Sequence, residues 1–174
     1  MTAPDPGILQ RLDEGGRNAT PFVVTIFLVL VSLIPTHIPA LSLAPPLYVV
    51  IAVYHWTLFR PDLMPPVAVF FVGLLQDVLG GGPIGFFAFV LLLVYGSVLS
   101  QRRFLYGKSF AVVWLGFLFV GLGASIAIWL LGCLNLVTLL PLRPFFHQYL
   151  MTVALFPLVA WLLVTWERMV LREE

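Results

Sequence analysis

Asp77 carries the only carboxylate that falls inside an apolar run, in the stretch "QDVLGGGPIG" at residues 76–85. The other seven acids, Asp5, Asp13, Glu14, Asp62, Glu167, Glu173 and Glu174, lie in tails or between runs. An aspartate in such a place serves as a proton or substrate site, as a contact to another membrane protein, or as a structural latch. Proton pathways string together several intramembrane acids or histidines. Here His37, His55 and His147 fall near segment ends, where a wet interfacial imidazole is the ordinary reading. A latch finds its donors close by. Gly80, Gly81, Gly82 and Pro83 do not readily continue a helix. Ile84 and Gly85 then open the next one, whose free amides and positive dipole end face back toward the turn. An aspartate at the bilayer centre costs about 2.5–3.5 kcal/mol, and the C-terminal end of its own helix also disfavours an anion. Hydrogen bonds from the next helix's amides offset both penalties. Gly73, four residues earlier on the same face, leaves room for a close neighbour. The latch leads, and it predicts that Asp77→Asn keeps most folding while Asp77→Leu destabilises the hairpin; the other two readings stay open.

Enzyme chemistry finds little footing elsewhere. Gly123-Ala124-Ser125-Ile126 lacks the closing glycine of a nucleophile turn. Ser125 is mid-segment while His147 begins the following one, and a Ser–His dyad needs both at one depth. A glycine loop before a lysine and an HExxH pair are both missing from the sequence. Its single cysteine, Cys133, rules out an internal disulfide or a CxxC metal site and reads as a small packed hydrophobe. The expectation is a non-enzymatic protein without metal or cofactor.

The elements that position Asp77 follow from composition. Of 174 residues, 61% are hydrophobic and 10% charged, a balance of the membrane class. Crossing roughly 30 Å of hydrocarbon takes about 20 apolar residues, so six spans and short loops use up the chain. The segments are approximately 21–36, 45–60, 65–80, 84–101, 109–135 and 145–168, one six-helix bundle between tails 1–20 and 169–174. Pro35, Pro39, Pro45, Pro61, Pro65, Pro83, Pro141 and Pro144 punctuate the edges. Pro157 lies inside the last segment and predicts a kink. The first run is read as a retained helix, since the small-x-small site Ser42-Leu43-Ala44 would be cut directly before Pro45.

Basic residues orient the spans. With both termini in the cytoplasm, Arg11, Arg17, Arg60, Arg102, Arg103, Lys108, Arg168 and Arg172 lie inside, and only Arg143 lies outside. Trp56, Tyr106 and Trp166 sit at interfacial depth; Trp129 and Trp161 read as packing residues. In the polar head before Pro21, Ile8, Leu9 and Leu12 suggest a short surface helix, although a mobile tail is the blander reading. Gly121-x-x-x-Ser125 and Gly123-x-x-x-Ala127 place small side chains on helix faces, for packing within the chain or between chains. The outward loop 136–144, "LVTLLPLRP", is apolar, and it either dips into its own bundle or receives a partner.

Three stretches carry a family resemblance. "PPLYVVIAVYHWTLFRP" (45–61), "GLLQDVLGGGPIG" (73–85) and "LFPLVAWLLVTWERM" (155–169) resemble MreD, the rod-shape-determining protein of the bacterial inner membrane. The second matches the family's G-x-x-x-D, small-residue turn and closing glycine; the glycine triplet departs from the polar small residues usual there. The resemblance marks Trp56, Pro61, Gly73, Asp77, Gly80, Gly81, Gly82, Pro83, Gly85 and Pro157 as structural or partner-contact candidates. It implies a scaffold or regulator of the cell-elongation complex that maintains cell shape during peptidoglycan synthesis. MreC is the implied direct partner, with RodA and a class B penicillin-binding transpeptidase in the same complex and MreB reached indirectly. It also implies a fold similar to the substrate-binding subunits of energy-coupling-factor transporters. Hence the alternative is a small-molecule-binding transport subunit. Against it, the Ala-x-x-x-Ala docking pattern is absent from the first segment, and Ala40-x-x-x-Ala44 lies in an outward loop.

Overall fold

The computed structural model describes residues 21–33 and 45–171. The expectations for the N-terminal tail, for His37 and for Ala40-x-x-x-Ala44 lie outside the described residues. Within them the chain is all helical: α1 (Pro21–Ser32), then α2 (Tyr48–Phe59), a 3-10 turn at Pro61–Leu63, α3 (Pro66–Gly80), α4 (Phe86–Leu105), α5 (Phe110–Leu136) and α6 (Leu142–Leu171). One helix falls in each expected segment. Their lengths differ from the expectation, however. Three helices, α4, α5 and α6, are long and apolar enough to cross a membrane; α1, α2 and α3 are shorter apolar helices. Proline and glycine set the shorter lengths. Pro61 and the Pro65-Pro66 pair bound α2 and α3 on one side, and Gly81 ends α3 on the other. Conversely α4 continues past residue 101 through Arg102 and Arg103 to Leu105, where cations suit the negative end of the helix dipole.

The position of α2 explains the architecture. α2 has ten consecutive buried residues, Val49 to Leu58, and packs on α4, α5 and α6 at once. A helix that is apolar on every side belongs in the middle of a bundle. At 12 residues it is only about 18 Å long, shorter than the roughly 30 Å of a bilayer's hydrocarbon. Backbone groups that water does not reach need partners from neighbouring helices. α6 supplies them at the first end: the Thr152 hydroxyl accepts from Leu47 N–H at 3.0 Å, and Gln148 Nε2 donates to Pro45 C=O at 2.7 Å. α4 supplies the other end, where Arg102 Nε donates to Leu58 C=O at 3.0 Å while its guanidinium lies 5.2 Å from the Tyr106 ring centre. Around α2 an aromatic cluster fills the core: Phe117 stacks on Phe156 at 4.3 Å, and Tyr54 meets both edge-on.

This central placement corrects two readings. Trp56, expected at interfacial depth, is 1% exposed and packed inside the bundle. His55 is likewise buried, between Trp56 and Phe59, and is not a wet interfacial histidine. Hydropathy locates a residue along the membrane normal; it does not say whether the residue faces lipid or the bundle axis.

Two tryptophans of α5 donate to backbone carbonyls in or next to α6. Pro157 has no N–H for Val153 C=O four residues back, and Trp114 Nε1 donates to that carbonyl at 3.3 Å. Trp129 Nε1 donates at 3.0 Å to Leu140 C=O, in the loop that leads into α6. Trp129 is therefore a hydrogen-bonding residue as well as a packing one. We expect Trp114→Phe to keep the ring contacts and lose about 1 kcal/mol, read as a lower unfolding midpoint in mixed micelles; an unchanged midpoint would show that Val153 C=O needs no donor.

The small residues of α5 divide between two faces. Gly116, Gly121, Ala124 and Ser125 are buried, with Gly121 on the Tyr149 ring. Gly123 instead faces outward over open space. The loop after α5 divides too. Leu140 turns in, its side chain against Gly132 and its N–H on Cys133 Sγ at 3.3 Å. Val137 and Leu139 point out, 88% and 87% exposed.

Candidate functional site

The α3–α4 hairpin gathers seven of the ten candidate residues, from Gly73 to Gly85. α3 ends because Gly81 takes the left-handed conformation, φ +68°, which a side chain rarely tolerates. The amides of Gly81 and Gly82 both donate to Asp77 C=O, the Gly82 bond at 3.2 Å. Pro83 C=O accepts from Phe86 N–H at 3.2 Å, and Gly85, at φ +94°, is the N-cap of α4. Having no side chain, Gly85 offers the first turn of α4 no capping oxygen.

Asp77 supplies that oxygen from the preceding helix. Its Oδ2 accepts from Gly85 N–H at 2.8 Å and, more distantly, from Ala88 N–H at 3.4 Å; its Oδ1 accepts from Phe87 N–H at 2.8 Å. Within one helix, a capping residue and a glutamate three residues on normally share this work. One carboxylate performs both halves here. The side chain is 1% exposed. Its charge lies at the negative end of α3 but directly against the positive end of α4, and the latter carries the hydrogen bonds. Both oxygens are committed to N–H donors. That alters the expectation for Asp77→Asn, since an amide offers one acceptor and would point a second donor at a donor.

Gly73 holds the other half of the hairpin. A Cβ built on it would lie 2.3 Å from Ala88 Cα and 2.6 Å from Ala88 N. The two helices thus touch backbone to backbone one turn below the carboxylate. Gly80 and Gly82 meet nothing within 4 Å and, with Pro83, lie exposed on the turn. Beside Asp77, Gln76 Oε1 lies 3.4 Å from Ser32 Oγ and ties the hairpin to α1.

The remaining candidates lie elsewhere. Trp56 is in the core of α2, Pro61 opens the 3-10 turn, and Pro157 lines a cavity of about 510 Å3 between α2, α5 and α6, together with Tyr54, His55, Phe156, Lys108 and Trp161. Sequence reading did not single out this cavity, because its walls come from three helices whose facing was unknown. A second cavity, about 300 Å3, lies between α5 and α6 near Arg143. Ser125 lines this one, and its Oγ makes no hydrogen bond, to His147 or to any other described residue.

Fold and site together define a helical bundle with three helices fit to cross a membrane, in which the most polar buried group joins two helices of the chain itself. Scans against protein-family models, curated proteins and solved structures find no match to this chain.

Proposed function

We propose that this chain is a non-enzymatic scaffold of the bacterial inner membrane that works in the cell-elongation complex, with six membrane passes and both termini in the cytoplasm. On this reading MreC is its direct partner. RodA and a class B penicillin-binding transpeptidase belong to the same complex, and MreB is coupled indirectly. The resemblance in residues 45–61, 73–85 and 155–169 names the complex, and the placement of the polar groups supports a scaffold. Asp77, Arg102, Gln148 and Thr152 are spent on holding the chain's own helices.

The observation that carries partner binding is the outward loop. Val137 sits at φ +51°, a conformation that costs a β-branched residue of order 1–3 kcal/mol, and it is almost wholly exposed beside Leu139. Strain held at an exposed apolar loop marks a contact surface, here on the side where the extracytoplasmic domain of MreC would lie. Val137→Asn with Leu139→Ser tests it, because asparagine accepts the left-handed conformation and the fold is kept. Co-purification of MreC with the tagged chain should fall at least tenfold in that double variant. Capture of MreC by wild type and double variant alike would remove the loop from the interface, and a wild-type protein that emerges with a small molecule and no MreC would sink the scaffold.

One observation favours the alternative, a small-molecule-binding transport subunit. The cavity of about 510 Å3 beside Tyr54 and His55 is within the range of ligand sites. Its charged lip, however, is Lys108, which the orientation of the basic residues puts on the cytoplasmic side. The crevice at the other end of α2, near Gln76 and Gln148, measures about 70 Å3, too small for a vitamin. An uptake subunit needs its site on the outer side, so the scaffold reading stands ahead.

A further inference from the structure

α3 is too short for the face it presents. Its 15 residues, Pro66–Gly80, rise about 22 Å, roughly 8 Å less than the hydrocarbon of a typical bilayer. α2 is shorter still, but its residues Val49 to Leu58 are buried among other helices. On α3 the side chains of Val67, Phe71 and Val78 follow one another along a single face, each more than half exposed. Gly73 and Asp77, on the other face, meet α4.

Both ends of α3 need water. After Gly80 the chain turns back, and the carbonyls of Val78, Leu79 and Gly80 receive no N–H from the described residues. At the start, Pro65 and Pro66 have no N–H and Val67 N–H meets no acceptor among the described residues. Arg60 and Asp62 are exposed just upstream. Backbone groups left open in this way are not tolerated against lipid. Tilting the helix would only lower its height. A short span is accommodated by a thinner bilayer, by flanking side chains that snorkel, or by association with another helix. The outer turn offers Gly80, Gly81, Gly82 and Pro83, none with a polar side chain to snorkel. Helix association in membranes uses small residues, and this face carries valine and phenylalanine instead. Thinning is what remains.

We propose that the α3 face is a lipid-contact surface that draws the adjoining bilayer down to about 22 Å, with phospholipid headgroups at Val67 on one side and at Gly80–Gly82 on the other. α4 packs on both α3 and α5, and the 27 residues of α5 rise about 40 Å, so the thinning is confined to one side of the bundle. This rests on the membrane placement above but not on MreC, so bilayer thickness and MreC capture fail independently.

Nitroxide labels on single cysteines of the full chain in dioleoylphosphatidylcholine vesicles, with Cys133→Ala removing the native thiol, test the proposal. Val67→Cys and Gly82→Cys, both at exposed positions, should meet a water-soluble nickel chelate, while Phe71→Cys between them should meet dissolved oxygen alone. Leu115→Cys and Leu130→Cys, exposed on α5 at nearly the same axial separation, should both be shielded from nickel. The nickel-to-oxygen collision ratio should be severalfold higher for the Val67 and Gly82 labels than for the α5 pair. A Val67 or Gly82 label shielded from nickel overturns the proposal, because the bilayer then keeps its full height. So does a Phe71 label that meets nickel, which would lay α3 along the surface, or spin–spin broadening at Phe71, which would place a second copy there. Leu115 and Leu130 labels that both meet nickel would sink the membrane placement itself, and this proposal with it.

Discussion

Asp77→Leu is expected to lower stability by about 2–6 kcal/mol, with Asp77→Asn falling between it and wild type. The range comes from the two short bonds. Leucine leaves Gly85 N–H and Phe87 N–H without acceptors in a buried site, and each orphaned donor costs about 1–3 kcal/mol. Asparagine satisfies one of the two and turns its own N–H2 toward the other, so it forfeits about half of that. The series wild type, Asn, Leu in mixed-micelle unfolding checks the ranking. A leucine variant with the wild-type midpoint would refute the latch outright. MreC capture by the asparagine variant, measured where that variant is still folded, adds a second reading: if binding drops there, the carboxylate has a partner role beside its structural one.

The hairpin was legible because all its parts lie in one short stretch, from Gly73 to Ala88. An acid near a helix end, a glycine turn and a new helix start suffice to place donors opposite an acceptor, whatever the rest of the bundle does. Segment positions were legible for a similar reason, since proline and glycine act locally. What escaped depends on how helices face one another. His55 and Trp56 looked interfacial because their depth is visible in sequence and their radial position is not. The pairing of Trp114 with Val153 C=O, and of Trp129 with Leu140 C=O, shared the same obstacle. Pro157 announces one acceptor without a donor, but choosing the donor needs the register of α5 on α6. The cavity between α5 and α6 had no comparable trace, because its walls come from two helices whose facing the sequence does not show.

Gly73→Ala is the second large effect, and its size follows from what the new methyl group meets. Carbon atoms rest about 3.5–4.0 Å apart, whereas this Cβ would be 2.3 Å from Ala88 Cα and 2.6 Å from Ala88 N. The obstacle is backbone inside a helix, so no rotamer change relieves it, and α3 and α4 must separate by about 1 Å or more. Overpacking of this kind costs about 1–3 kcal/mol and occasionally more. The same movement acts on Asp77. Ala88 belongs to the turn whose amides the carboxylate caps, and bonds of 2.8 Å stretched by such a displacement pass beyond useful range. Gly73→Ala thus removes part of what Asp77→Leu removes. The double variant should therefore lose less than the sum of the singles, with a coupling of about 0.5–3 kcal/mol. Strict additivity would mean that the close approach and the cap are independent devices. Coupling would mean that the small residue exists to bring α4's first turn within reach of the acid, which gives the spacing of Gly73 and Asp77 a physical reason: contact and cap must fall on one face, one turn apart.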